Sequence, residues 1–134
     1  MAGYSETPLQ KKLGIKEGIS VFILRPPAQY FDWISPLPPG VKLKTKLANE
    51  MDFIHLFIKE QKIFVKEFIR CKKFLKKDGM MWISWPKKAS KVATDLDENI
   101  IREFGLKNGL VDVKVCAVDE VWSGLKFMYR IKDR

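Results

Sequence analysis

The sequence predicts a three-layer α/β sandwich whose mostly parallel sheet ends in a C-terminal antiparallel strand pair. Three observations carry that expectation. Apolar strand patterns alternate with helical ones in the order strand, helix, short strand, strand, helix, strand, helix, strand, strand, as when helices cover both faces of a sheet. The runs Ser20–Leu24 and Asp52–Ile58 are nearly continuous in apolar residues, as strands buried on both faces must be. Only Asp119–Val121 separates the last two strand patterns, which is too short for a parallel crossover. A chain of 134 residues can bury one core, so residues 1–134 read as a single domain.

Residues 1–18 form a polar opening segment with short helical character at Leu9–Leu13, closed by Gly14 and Gly18. Ser20–Leu24 is the first strand. Pro36, Pro38, Pro39 and Gly40 break any helix that starts near Ala28, and Val41–Leu47 reads as a short second strand. Asp52–Ile58 is a central strand. The strongest helical pattern runs from Lys59 to Lys77, with Phe64, Phe68, Cys71 and Leu75 on a buried stripe. Lys59, Lys62, Lys66, Lys73 and Lys77 recur on another stripe, and Asp78-Gly79 is read as the helix end.

Met80–Trp85 is the next strand, stopped by Pro86. Thr94 and Asp95 precede a second helix, and Asp95 with Glu98 has capping-box spacing. Leu96, Ile100 and Phe104 mark its buried face, and Gly109 its stop. Val111–Val118 alternates, with Asp112 and Lys114 opposed to Val111, Val113 and Val115, which suits an edge strand. Trp122–Ile131 closes the pattern, placing Leu125, Phe127, Tyr129 and Ile131 on one face.

An apolar fraction of 46% and an aromatic fraction of 12% exclude a disordered chain. No run approaches the roughly 18–20 apolar residues of a membrane span, and the N-terminus has no apolar signal segment. The expectation is a soluble, cytoplasmic protein with no membrane partner. Cys71 and Cys116 lie in apolar segments without metal-ligand spacing, which fits buried thiols in a reducing compartment. The net charge of +9, carried mainly by lysine, attracts anionic partners: a small anionic ligand, an acidic protein surface or nucleic acid.

The first strand runs directly into Arg25-Pro26-Pro27, where a nucleotide-binding α/β domain needs glycines. A glycine turn lets backbone N–H groups approach a phosphate or ribose. Two prolines remove two of those donors and fix φ, so this loop cannot form that cradle.

The antiparallel closing pair after a parallel α/β run resembles the class I methyltransferase fold. The stretch Leu75-Lys76-Lys77-Asp78-Gly79-Met80-Met81-Trp82-Ile83-Ser84 is similar to the late helix end and strand of those enzymes, and Leu110–Ile131 resembles their closing hairpin. The whole chain also resembles a small bacterial protein family that carries no established activity. That resemblance rests on Thr7-Pro8-Leu9, Lys12-Leu13-Gly14, Trp85-Pro86-Lys87-Lys88, Thr94-Asp95-Leu96 and Val121-Trp122-Ser123-Gly124-Leu125-Lys126. The methyltransferase resemblance implies a cofactor site for S-adenosylmethionine, yet this chain departs from it. The glycine loop is missing. Lys42, Lys44 and Lys46 stand where an acid would hold the ribose hydroxyls, and the usual third strand has no room. The reading is a degenerate site with no cofactor.

His55 is the only histidine, so no Ser-His-Asp site can form without it. Its place between Phe53 and Phe57 suits a hydrogen-bonded core imidazole, with a general base as the other role. No cluster suggests a metal. Trp85-Pro86-Lys87-Lys88-Ala89-Ser90-Lys91 is the strongest site candidate, because ligands of open α/β sheets bind beyond the carboxyl ends of the strands. Its indole and three lysines suit an anionic or aromatic ligand, and the other reading is a solvated loop with Trp85 as a packed lid. Arg25 leaves the first strand at the same edge and is expected to converge with Lys87 and Lys88. Core or hairpin packing is the default for Trp122, and packing on Trp85 or filling the pocket mouth is the other reading.

The stretch Lys59–Lys77 holds eight cations against two acids. Phosphates reward such clustering, but Phe64, Phe68 and Phe74 lie on or near the buried stripe, so a stacking platform is missing and a solvated helix face is the favoured reading. The combined expectation is a non-catalytic binding or regulatory module whose anion-attracting pocket uses Arg25, Trp85, Lys87, Lys88 and Trp122. A small enzyme using S-adenosylmethionine or a nucleotide, and a nucleic-acid binder, are the alternatives.

Overall fold

A computed structural model describes residues 7–134, so the polar opening at residues 1–6 lies outside the described residues. The chain runs α1 (Leu9–Leu13), β1 (Ser20–Leu24), α2 (Tyr30–Trp33), β2 (Lys42–Lys44), β3 (Met51–Phe57), α3 (Gln61–Lys72), β4 (Leu75–Pro86), α4 (Glu98–Lys107), β5 (Leu110–Ala117) and β6 (Trp122–Tyr129). The six strands form one sheet in the order β2-β1-β3-β4-β6-β5. β2, β1, β3 and β4 are parallel, and β6 runs antiparallel between β4 and β5. The expected α/β class, the parallel majority and the antiparallel closing pair are all present.

Two apolar clusters flank this sheet, which makes the three layers. On one face Leu13 of α1 and Tyr30 of α2 pack with Val21, Phe53, Phe57 and Trp82. On the other face Phe64, Phe68 and Cys71 of α3 and Ile101 of α4 pack with Ile54, Met81, Ile83, Leu125 and Phe127. The central strands therefore bury both faces, which is why their sequences run apolar without alternation.

Three boundaries differ from the sequence pattern, each for a local reason. α3 stops at Lys72, and Leu75 opens β4 opposite Met51 instead of extending the helix stripe. The pairing then jumps to Phe53 opposite Met80, so residues 76–79 bulge against Asp52. Asp52 anchors that bulge through an ion pair with Lys76 at 3.4 Å and accepts a hydrogen bond from the Ser20 N–H at 2.9 Å. Gly79 is thus not a helix terminator. A Cβ there would lie 2.9 Å from the Met51 carbonyl oxygen, so glycine lets β4 approach β3 closely.

The N-cap of α4 is Asp97, whose carboxylate accepts from the Ile100 N–H at 2.8 Å. Asp95 serves a different helix: its Oδ1 accepts from the Gln61 N–H at 2.7 Å, at the start of α3. Capping from a distant loop satisfies a helix-start donor that α3's own N-cap leaves open. Along α4, Ile101 and Gly105 are the most buried positions, with Ile100 and Phe104 half-buried.

In β5 the register slips between Asp112 and Lys114, leaving Val113 unpaired. The slip shifts the alternation, so Val113 and Val115 face solvent while Cys116 is buried. Ile131 is also exposed, because β6 ends at Tyr129 and a short 3-10 turn follows.

A Cβ on Gly105 would meet the fully buried Phe127 ring at 2.1 Å, so glycine sets how closely α4 sits on β6. Gly105→Ala is expected to cost about 1–3 kcal/mol by overpacking, although alanine favours helix. Urea unfolding measures it, and a stabilised variant would mean that α4 shifts freely on the sheet.

Candidate ligand-binding cavity at the carboxyl edge of the sheet

Because β1, β3 and β4 are parallel, Leu24, Phe57 and Pro86 end along one edge. β6 starts at that edge, with Trp122 opposite Pro86. A cavity of about 360 Å³ opens there, within the range of small-molecule sites. Arg25 and Pro27 line it from the segment after β1, Phe57, Lys59 and Glu60 from the end of β3 and the loop beyond, Ile63 from α3, and Trp122 from β6.

The walls are held by local chemistry. The Asp119 carboxylate accepts from the Val121 and Trp122 N–H groups at 2.9 and 2.7 Å, which fixes the turn that carries the indole. The Trp122 ring stands edge-on to Phe57, with centroids 5.1 Å apart. Lys59 and Glu60 precede α3, and the Lys59 carbonyl accepts from the Thr94 hydroxyl at 2.6 Å. Arg25 holds a left-handed φ of 55°, a conformation that glycine usually supplies, and its side chain is exposed.

Of the residues expected to converge, the fold brings Arg25 and Trp122 to one cavity. Trp85 does not join them. It lies three positions beyond Trp82 on β4, so the two indoles face opposite sides of the sheet. Trp82 packs with the α1 side, whereas Trp85, only 5% exposed, belongs to the α3/α4 core. Neither the lid nor a Trp85–Trp122 stack forms.

Lys87 donates its backbone N–H to the Val121 carbonyl at 2.9 Å and its Nζ to the Asp119 carbonyl at 3.3 Å, so it ties the β4 exit to the β5–β6 turn. Lys88 is exposed in the 3-10 turn Lys88–Ser90. Neither lysine lines the cavity. Lys59 and Glu60 do, and their position directly after the central strand was the sequence signal for them.

His55 is fully buried. Its Nδ1 is 2.8 Å from the Tyr30 hydroxyl and its Nε2 is 2.7 Å from the Ser84 hydroxyl. The imidazole stacks on Phe57 at 4.3 Å. Hydroxyls give or accept a proton, so the neutral ring is satisfied at both nitrogens in either tautomer. Burial pushes its pKa down to about 3 and pushes that of Tyr30 up. The trio has a nucleophile, a base and an orienting hydroxyl, but all three side chains are sealed in the core. It holds α2 to the sheet as a structural relay.

Among the described residues no cluster of three or more His, Cys, Asp or Glu side chains is placed to hold a metal. No described helix is long and apolar enough to cross a membrane. The edge also fails to fit S-adenosylmethionine in the glycine-turn manner. Pro26 and Pro27 offer no N–H, α2 is only four residues long, and residues 42–48 contain no carboxylate for a ribose.

The strand order and the inserted antiparallel β6 define a class I methyltransferase-like, Rossmann-like fold. Its neighbours among solved structures include methyltransferases and proteins recorded with SAM or SAH bound. The ribosomal protein L11 methylase of Lactobacillus delbrueckii subsp. bulgaricus matches with a TM-score of 0.62 at 11% identity, over 91% of this chain and 75% of that one. The DhpI–SAH complex matches with a TM-score of 0.62 at 10% identity, over 92% and 83%. Fibrillarin of Aeropyrum pernix, with natively bound S-adenosyl-L-methionine, matches with a TM-score of 0.59 at 13% identity, over 95% and 71%. No protein-family model and no curated sequence matches the chain.

Proposed function

We propose that this chain is a non-catalytic, methyltransferase-like binding module that takes a small anionic ligand with a flat apolar part. The observation that carries the reading is the β1 exit. The left-handed position that would suit a glycine holds Arg25, and two prolines follow it. Backbone donors are replaced by a guanidinium, a planar fork suited to phosphate or carboxylate. Lys59 adds a second charge to the cavity lining, and Trp122, held edge-on by the buried Phe57, offers aromatic surface for the apolar part. Lys87 and Lys88 raise the positive potential of the same edge without entering the cavity. The sealed His55 leaves the cavity without an imidazole base.

Calorimetry separates this reading from its rival. S-adenosylmethionine is expected to bind with a Kd of about 1 mM or weaker. Adenosine monophosphate, as an aromatic phosphate probe, should bind more tightly. Arg25→Glu with Lys59→Glu should abolish that binding, Lys87→Glu with Lys88→Glu should weaken it, and Lys62→Glu should leave it intact.

The second reading is a small S-adenosylmethionine-using enzyme, favoured by neighbours recorded with SAH or S-adenosyl-L-methionine bound. Micromolar binding of that cofactor, lost on Trp122→Ala, would reject the degenerate site and favour this second reading.

A further inference from the structure

A second concavity lies away from the ligand cavity, on the α3 side of the β1–β2 flank. It measures about 680 Å³, with Phe22, Leu24, Leu47 and Phe74 as its apolar floor and Lys46, Arg70 and Lys73 among its lining residues. A neighbouring depression of about 710 Å³ shares Lys73 and Phe74. It exists because α3 and α4 cover the β3–β4–β6 part of this face and no described helix covers β1 and β2. A parallel sheet ordinarily buries both faces, so this flank lacks a helix that its architecture would supply.

The solvent side of α3 continues the surface. Lys62, Val65, Lys66, Ile69, Arg70 and Lys73 recur at helical spacing opposite the buried Phe64, Phe68 and Cys71. Val65 and Ile69 are 39% and 44% exposed between these cations. The nearest acids oppose them little: Glu67 is buried and paired to Arg70 at 2.6 Å, and Glu50 sits in the neighbouring depression.

We propose that this groove docks an acidic amphipathic helix of a partner protein. Its apolar stripe enters over Leu24, Leu47 and Phe74, and its carboxylates meet Lys46, Lys73 and Lys66. Charge complementarity selects the sign of the partner, and the apolar floor with Val65 and Ile69 selects protein over nucleic acid. A phosphate backbone gains nothing from exposed aliphatic side chains, and the aromatic rings that line the groove among the described residues, Phe22 and Phe74, are buried and half-buried in its floor. The occupant completes the helical layer, which is helix-in-groove recognition.

The test uses a fluorescein-labelled synthetic helix of about 16 residues, with leucines on one face and glutamates on the other. Fluorescence polarisation against the full chain is expected to show saturable, salt-sensitive binding. Lys46→Glu with Lys73→Glu, both exposed positions, should weaken it by about ten-fold or more, while Lys87→Glu with Lys88→Glu should leave it unchanged. Leu47→Asp should weaken it without a lower melting temperature than Lys46→Glu. Three results would overturn the proposal. They are no binding, equal binding of a same-composition peptide with scrambled faces, and tighter binding of a single-stranded oligonucleotide lost through the same lysines.

Discussion

Replacing Trp82 by alanine is expected to lower the unfolding free energy by about 3–5 kcal/mol. The side chain is fully buried in β4, between β3 and β6, and packs with Leu13, Val21 and Phe53. Its Nε1–H donates to the Leu13 carbonyl at 2.8 Å, which ties α1 to the sheet across a separation of 69 residues. Removing the indole therefore opens a cavity and leaves a helix-end carbonyl without its partner. Trp82→Phe keeps most of the volume and should cost less, so the pair of variants separates packing from tether. Chemical denaturation gives both values. A loss below about 1 kcal/mol for the alanine variant would mean that β4 is not a central strand.

The second large effect is a pH dependence set by His55. Its folded pKa is pushed down to about 3 by burial, against an ordinary value near 6.5. Between those values the unfolded chain binds a proton that the native ring refuses, so stability rises with pH across this window. The contribution is complete above about pH 6.5 and is lost as the pH falls toward 3, at about 1.4 kcal/mol per pH unit. Most of that contribution, roughly 2–3 kcal/mol, should be gone at pH 4.5.

Asp52 acts in a lower window. Although desolvation opposes it, hydrogen bonds from Ser20 and the charge of Lys76 hold its carboxyl below the usual range, so its contribution is lost only at still more acidic pH. Urea titrations at pH 7 and 4.5 on the native chain and on His55→Gln isolate the imidazole. An unchanged slope in the variant would show that other groups carry the acid lability.

Much of the architecture was legible because its signals are local. Alternating element types, the short link at Asp119–Val121 and the apolar strand cores need no knowledge of neighbours. What stayed hidden depends on contacts across the sheet. Nothing local in Lys76-Lys77-Asp78-Gly79 distinguishes a helix end from a bulge, since Gly79 is required by the β3 backbone beside it. Asp95 has the right spacing for its own helix yet caps α3, because the fold brings the two helix starts together.

The site was half legible for a related reason. A strand buried on both faces shows no period-two pattern, so Trp85 could not be assigned to the α3/α4 side from its own neighbours. Arg25 and Trp122 both line the edge cavity because both sit at strand ends, where edge position alone decides. Tyr30 and Ser84, the partners of His55, lie 25 and 29 residues away from it, and no sequence signal joins them.

The position of β6 also constrains how the protein is made. β6, the last of the described strands in sequence, sits inside the sheet, bonded to β4 on one side and β5 on the other. Until Tyr129 has emerged, β4 has one open flank and β5 has no strand to pair with. Met81 and Ile83 pack with Leu125 and Phe127, so this part of the core closes only after residues 122–129 have been made, a long-range pairing that must wait for its last partner.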